Sequence, residues 1–545
     1  MIRLKTISVC CFLGMVTGYA QVNNRYDLRS SYSWHYCAIP AKQPVRYPES
    51  ILQNDRATGM NRAKLCWYTI DPLFYSNDIN ITPEYIINDT AQLRNHMVRP
   101  VFEHELFPNS PFQPDINLNV LNLAYYPKEK GVYNFDVDST VYSAGIDSSG
   151  NLRDPGSRWA GICRYIEKNL FTRQNLHYLG FWLMDPFVDN QAGKGGNLYI
   201  DIGNVSEDVL KDGRNSFENG LPNSSIVTNV DTTIWGRVPA DIESSFGFNS
   251  GSYGNAFQDI GMDGLNDQGE RSFYQNYLSS VENRYGIHSN AFQAASQDPS
   301  SDDYHCFRGT GYDSLKTDIL CRYKRFNGLD GNSPAPWTSP ENYPIAATIN
   351  PDMEDINRNK NLDTAENYFQ YKIVLTPEDL VAGQNFIREK RTVIPANGNG
   401  PVTWYKFLIP LDTALRETLG DIDNLDSSGY VRLVLKDFSE PVILRFAEME
   451  FVTTDLPDHG DLADNTAITV YPNPCSGTLN IFVSGEGLKW VKISDITGKI
   501  HSFNEIKHNS TFYTIDLSPF ANGFYLLEAA TENHTYIRKI LVENQ

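Results

Sequence analysis

Beyond its first twenty residues the sequence has no stretch near the roughly 18 consecutive apolar residues that a membrane-crossing helix requires, so no transmembrane segment is expected once a leader is removed. Basic residues are also scarce. Setting aside Arg3 and Lys5 of the leader leaves 44 Lys and Arg against 66 Asp and Glu, a formal charge of −22. That balance disfavours nucleic acid and anionic lipid as partners. Cysteine is sparse and lacks C-x-x-C spacing, which argues against zinc. The catalytic signatures H-E-x-x-H, G-x-S-x-G and G-x-x-x-x-G-K are missing, and the histidines, among them His35, His96, His104, His177 and His305, sit in no ligand spacing. The expectation is a protein that is not an enzyme. GKGGN at 193–197 is a lone Gly-rich turn that reads as a hairpin.

What is present begins with MIRLKTISVCCFLGMVTGYA, a basic start, an apolar run and small residues at Gly18 and Ala20. This reads as a secretory signal peptide over 1–20. Export admits disulfides, and of the six remaining cysteines Cys306 with Cys321 and Cys37 with Cys66 are the shorter-range candidates, free thiols being the equal alternative. With 41% hydrophobic and 12% aromatic residues over 545 positions, the chain can bury cores for two to four domains.

Long 3.6-residue periodicity is nearly absent from the body of the chain. Instead eight short runs rich in aromatic and β-branched residues follow in order: VLNLAYYP, RWAGICRYI, LHYLGFWLMDPF, NLYIDIGNV, YFQYKIVL, TWYKFLIPL, YVRLVLKDF and VILRFAEMEFV. They predict a mainly β protein whose body is a jelly-roll-like β-sandwich over 111–455, after an irregular N-terminal region over 21–110. The rhythm breaks over about 211–366, a loop-rich insertion too long to be structureless in a compact domain. An acidic linker at 456–465 leads to alternating strand runs over 466–545, which predict a C-terminal immunoglobulin-like β-sandwich.

Two stretches of the insertion have calcium-loop spacing. In DINRNKNLDTAE, Asp355, Asn357, Asn359, Asn361, Asp363 and Glu366 stand at positions 1, 3, 5, 7, 9 and 12, with Lys360 where a glycine is usual. In DIGMDGLNDQGE, Asp259, Asp263, Asp267 and Glu270 stand at 1, 5, 9 and 12; Gly264 is at 6, and Gly261 replaces an oxygen ligand at 3. Calcium, which takes oxygen ligands from such loops, is the candidate cofactor. Asp/Asn-rich turns satisfied by their own backbone are the competing reading.

The last 80 residues resemble the type A sorting domain of the type IX secretion system. The resemblance rests on Tyr471, Pro472, Asn473 and Pro474, then Gly477, Leu479 and Ile481, then Asp495, Gly498 and Lys499, then Asp516, Leu517, Gly523 and Tyr525, and a closing KILV from Lys539. It implies passage across the outer membrane of a Gram-negative bacterium to the cell surface or beyond. From about Lys64 to Val452 the chain also resembles SprA, the giant outer-membrane translocon of gliding motility and type IX secretion, through CWYTIDPLF, RPVFEHELFPN, LNLAYYPKEKGVYNFD, LYIDIGNVSEDVLKDGRNSFENG, PDMEDINRNKNLDTAENYFQYKI and LKDFSEPVILRFAEMEFV. SprA is far longer and forms a very large barrel with shuttle and plug partners. This chain lacks that length and the hairpin series of a barrel, so the resemblance implies a soluble SprA region working through protein contacts with the translocon and its shuttle and plug components. A surface adhesin or carbohydrate-binding protein is the alternative, for which Trp159, Trp182, Trp235 and Trp404 are the candidate stacking residues, although Trp159 and Trp182 lie in apolar strand runs of the kind that more often belong to a core.

Overall fold

The computed structural model describes residues 25–108, 117–190, 193–218, 230–240, 261–303, 305–326, 352–453, 468–471, 475, 477–483, 487–495, 499–531 and 535–542. Strand outweighs helix, 34% to 18%, and no sheet among the described residues closes into a barrel. The body is a β-sandwich.

One sheet runs in the order β11 (Ile387–Val393), β12 (Val402–Pro410), β6 (Tyr178–Met184), β15 (Val442–Val452), β4 (Leu121–Lys130), β3 (Ala63–Tyr68), with β1 (Arg25–Asp27) paired to β15. The other runs β13 (Glu417–Leu419), β10 (Asn367–Leu375), β7 (Gly196–Asn204), β14 (Tyr430–Lys436), β5 (Trp159–Tyr165), β2 (His35–Tyr36). All of these pairings are antiparallel. Alternation along the strands explains the core. Leu198, Ile200 and Ile202 of β7 and Val431, Leu433 and Leu435 of β14 meet Leu121, Leu123, Phe181, Leu183, Phe407 and Leu444 of the other sheet in one cluster. Each such side chain stabilises the fold by about 1.5–3 kcal/mol on burial.

The strand runs read as continuously apolar because the outer faces are covered too. Cys37, Ile39 and Tyr47 lie over Trp159, Tyr199, Tyr368 and Val434 on one side. Met97, Val101 and Leu106 lie over Trp182, Trp404 and Ala447 on the other. Residues 25–68, within the region expected to be irregular, supply three sheet strands. No disulfide joins any two of the six described cysteines, and Cys37 and Cys66 sit in separate clusters. GKGGN is not a hairpin: β6 and β7 belong to different sheets, so it crosses between them. Gly195 there has φ +77°, and an added Cβ would stand 1.9 Å from the Leu375 carbonyl oxygen, which explains the glycine.

Between β7 and β10 the described residues form a small hairpin, β8 (Val230–Thr232) with β9 (Arg237–Pro239), and five helices, of which α1 (Asp267–Phe273), α2 (Gln275–Tyr285) and α3 (Asn290–Gln297) come first, followed by short ones at Thr310–Leu315 and Ile319–Tyr323. Tyr274, Tyr277, Leu278, Val281, Ala291 and Ala295 turn inward and extend the main core through Phe135 and Trp235. At this junction Lys130 Nζ donates to the Asp136 carbonyl and the Tyr277 hydroxyl, each at 2.7 Å. Burial lowers its ammonium from 10.5 to about 7, opposed by Asp136 and assisted by Arg158. A lysine depressed in the folded state binds fewer protons there than in the unfolded chain, so its penalty, complete below pH 7, lifts as pH rises towards 10.5. Thermal unfolding of the protein and Lys130→Met, compared across that range, should show the stability difference moving in favour of lysine with rising pH; a constant difference would contradict this.

The C-terminal module has β16 (Ile468–Tyr471), β17 (Thr478–Val483) and β20 (Phe512–Asp516) in one sheet, with β19 (Ile500–Ser510), β18 (Leu488–Asp495), β21 (Gly523–Ala530) and β22 (Thr535–Val542) in the other. Leu479, Ile481 and Val483 face Val491, Ile493, Leu527 and Ile540 in a core of their own.

Candidate functional site

The two expected calcium loops have different fates. In the first, Asp355 is fully buried, and its carboxylate accepts the backbone N–H groups of Asn359 at 3.1 Å and Lys360 at 2.8 Å. Lys360 has φ +70°, the left-handed turn that position 6 of such a loop requires. Asn357 Oδ1 accepts from Asn359 N and Asn359 Oδ1 from Asn361 N, while Asn357 Nδ2 donates to Asp363 Oδ2 at 2.8 Å. Glu207, which the motif reading missed because it lies 148 residues before Asp355, closes the loop by accepting from Asn357 N, Asp363 N and the Tyr430 hydroxyl. Burial pushes the Glu207 carboxyl up to about 7. Glu366 turns away to a buried pairing with Arg432 at 2.8 Å. The three acidic residues of this motif therefore do not gather around a common point: Asp355 serves the backbone turn, Asp363 the Asn357 and Tyr430 side chains, and Glu366 the Arg432 guanidinium.

The second stretch behaves otherwise. Asp259 lies outside the described residues, and Asp267 faces outward beside Arg271 at 3.7 Å. Asp263 and Glu270 are drawn inward, 1% and 3% exposed, and are joined by Asp302, 4% exposed. Carboxylate oxygens of the three lie within 4.8 Å of one another. The positioning is local. Asn266 caps α1 by accepting from Gly269 N, which sets Glu270 one turn along the inner face. Arg237 N of β9 donates to the Asp263 carbonyl at 2.7 Å, and the Tyr274 hydroxyl of α1's C-cap donates to Asp263 Oδ2 at 2.7 Å. Ser300 bridges the rest, its N–H on Glu270 Oε2 at 3.0 Å and its hydroxyl on Asp302 Oδ1 at 2.5 Å.

Gly261 is no failed ligand position here. Its φ is +74°, and a Cβ would come within 2.1 Å of Asp302 Oδ2, so the carboxylate occupies the space a side chain would need. Burial, reinforced by Asp302, holds the Asp263 carboxyl well above its ordinary range. Burial and Asp263 push Glu270 to about 9. Burial with Glu270 and Asp298 does the same in direction to Asp302. A second group, Asp298, Asp302 and Asp303, shares Asp302 and is half-exposed. There Asp303 pairs with Arg325 at 3.4 Å. The acidic run DPSSDD at 298–303 was the available signal for Asp302.

In the C-terminal module, Pro472, Asn473, Pro474 and Gly498, with the side chains of Tyr471 and Lys539, lie outside the described residues. Gly477 has φ +96° and its carbonyl accepts Leu517 N at 2.5 Å. Asp495 closes its turn by accepting Lys499 N at 3.1 Å and meets His501 at 2.9 Å. Gly523 opens β21, where Tyr525 pairs with Ile540 and donates its hydroxyl to the Ala521 carbonyl at 3.0 Å. Cys475 N donates to the Leu541 carbonyl at 2.8 Å, tying the start of the module to its final strand.

Two family models match the chain. Residues 276–471 match SprA_N, described as a motility related/secretion protein, and residues 469–543 match the secretion system C-terminal sorting domain. The first match runs from α2 to β16, a shorter span than the resemblance read from Lys64. No curated protein matches. The chain thus joins an SprA-like region to a type IX secretion sorting domain, and is a motility-related protein exported through that system.

Proposed function

We propose that this is a non-enzymatic protein that enters the periplasm by its 1–20 signal and acts at the cell surface through protein contacts in type IX secretion or gliding motility. The observation carrying this reading is the order of the two matches, an SprA-like region followed directly by a sorting domain. The compact sandwich supports it, since a filled core leaves no pore along the sheets. No helix among the described residues is long and apolar enough to cross a membrane. The adhesin alternative loses its proposed stacking groups, because Trp159, Trp182, Trp235 and Trp404 are each at most 1% exposed. The test is a pull-down of tagged, surface-delivered protein in mild detergent with calcium present, read by mass spectrometry. Recovery of the translocon or its shuttle and plug components is the expected result. Recovery of surface polysaccharide alone, or of nothing specific, would overturn the secretion role.

A further inference from the structure

We propose that Asp263, Glu270 and Asp302 bind one calcium ion, which locks the helical insertion against the sandwich. Two oxygens held by one calcium at about 2.4 Å can stand no more than about 4.8 Å apart, and these three carboxylates meet that limit from three separate segments. All three are buried, and none forms an ion pair with lysine or arginine among the described residues. The Arg56 guanidinium, close by, stacks on the Tyr274 ring at 4.9 Å and donates to the Ile234 carbonyl instead.

A second observation points to a ligand independently of the cluster. Asp302 Oδ2 is buried, turned into the site against Gly261, and has no hydrogen-bond partner among the described residues. A buried anionic oxygen without a donor costs several kcal/mol unless a cation meets it. Hard oxygen donors, one of them an aspartate with a spare oxygen, suit calcium better than zinc. Asp298 and Asp303, half-exposed and sharing Asp302, stand on the solvent side. The ion would be gripped from the Gly261–Gly264 turn, from α1 and from the segment after α3, so its removal should loosen the helices before the sheets. This inference does not rest on the secretion role.

The experiment uses the purified protein, stripped with chelator. Terbium stands in for calcium, because Tyr133, Tyr274 and Trp235 lie near enough to sensitise its emission. Terbium emission should saturate at one ion per chain, be displaced by calcium chloride, and be accompanied by a rise in the unfolding temperature with calcium. Asp302→Asn should weaken calcium at least about tenfold, while Asp363→Asn in the other loop leaves it unchanged. Binding lost in Asp363→Asn but kept in Asp302→Asn would overturn the proposal. So would the absence of any terbium or calcium response in the stripped wild-type protein, a result readable without any variant.

Discussion

Replacing Arg432 with methionine should destabilise the protein by about 3–5 kcal/mol, the usual consequence of leaving buried charges without their partner. Arg432 lies in β14 directly opposite Asp201 of β7, which is itself opposite Gln370 of β10, so one polar row crosses three strands on the outer face. Its Nε donates to Asp201 Oδ2 at 2.7 Å, and its two terminal nitrogens donate to Glu366 at 2.8 and 3.1 Å. The side chains are 0% exposed for Arg432 and Asp201 and 4% for Glu366. Burial already raises the Asp201 carboxyl with the guanidinium in contact, so desolvation outweighs the attraction there. Without Arg432 the Asp201 carboxyl rises further. A carboxyl raised above its unfolded value contributes a penalty that is present above the unfolded value and lifts as the group takes its proton. The deficit of Arg432→Met should therefore be greater at pH 8 than at pH 5. Urea unfolding at both values checks this. An unchanged midpoint, or a deficit that grows on acidification, would refute the account. The variant that also carries Asp201→Asn and Glu366→Gln should recover much of the loss, since no uncompensated charge then remains.

The same triad marks where sequence reasoning stopped. The eight aromatic and β-branched runs read from sequence are β4, β5, β6, β7, β10, β12, β14 and β15, all interior to the sheets or nearly so. Such strands are buried on both faces, and their composition shows it. The strands not read from sequence are at or near edges. β11, IREKRTV, is buried only at Ile387 and then alternates exposed and half-buried positions, with charged residues on both, while β1, β2 and β13 have three residues or fewer. β3 stood inside a stretch whose turns masked it. Site residues divide the same way. The Asp355 turn was legible because its hydrogen bonds span two to five residues. The fate of Glu366 was not, because Arg432 is 66 residues away and reaches it only after three strands have paired. Asp263 and Glu270 were found by spacing, but their third companion is brought back by a helical hairpin, α2 against α3, and spacing within twelve residues cannot register that return.

Deleting 466–545 should abolish delivery to the cell surface and leave a folded body in the periplasm. The core of that module, from Cys475 to Val542, shares no residue with the core between the two large sheets, so removing it takes no apolar partner from the sandwich. The truncated body should therefore keep its unfolding transition while losing its destination. A finer variant separates the sorting signal from bulk removal. Gly477 sits at φ +96° three positions after the end of the YPNP segment, and its carbonyl accepts Leu517 N. A β-branched residue cannot hold that conformation without strain of about 1–3 kcal/mol. Gly477→Val should thus distort the link between β16 and β17 while Asp495, Tyr525 and β22 remain paired. Surface protease shaving and cell fractionation give the reading. Periplasmic retention of the truncated chain, with partial retention of Gly477→Val, is the expected pattern. Surface delivery of the truncated chain would mean that the sorting information lies in the SprA-like region, and the division of labour between the two parts would have to be reversed.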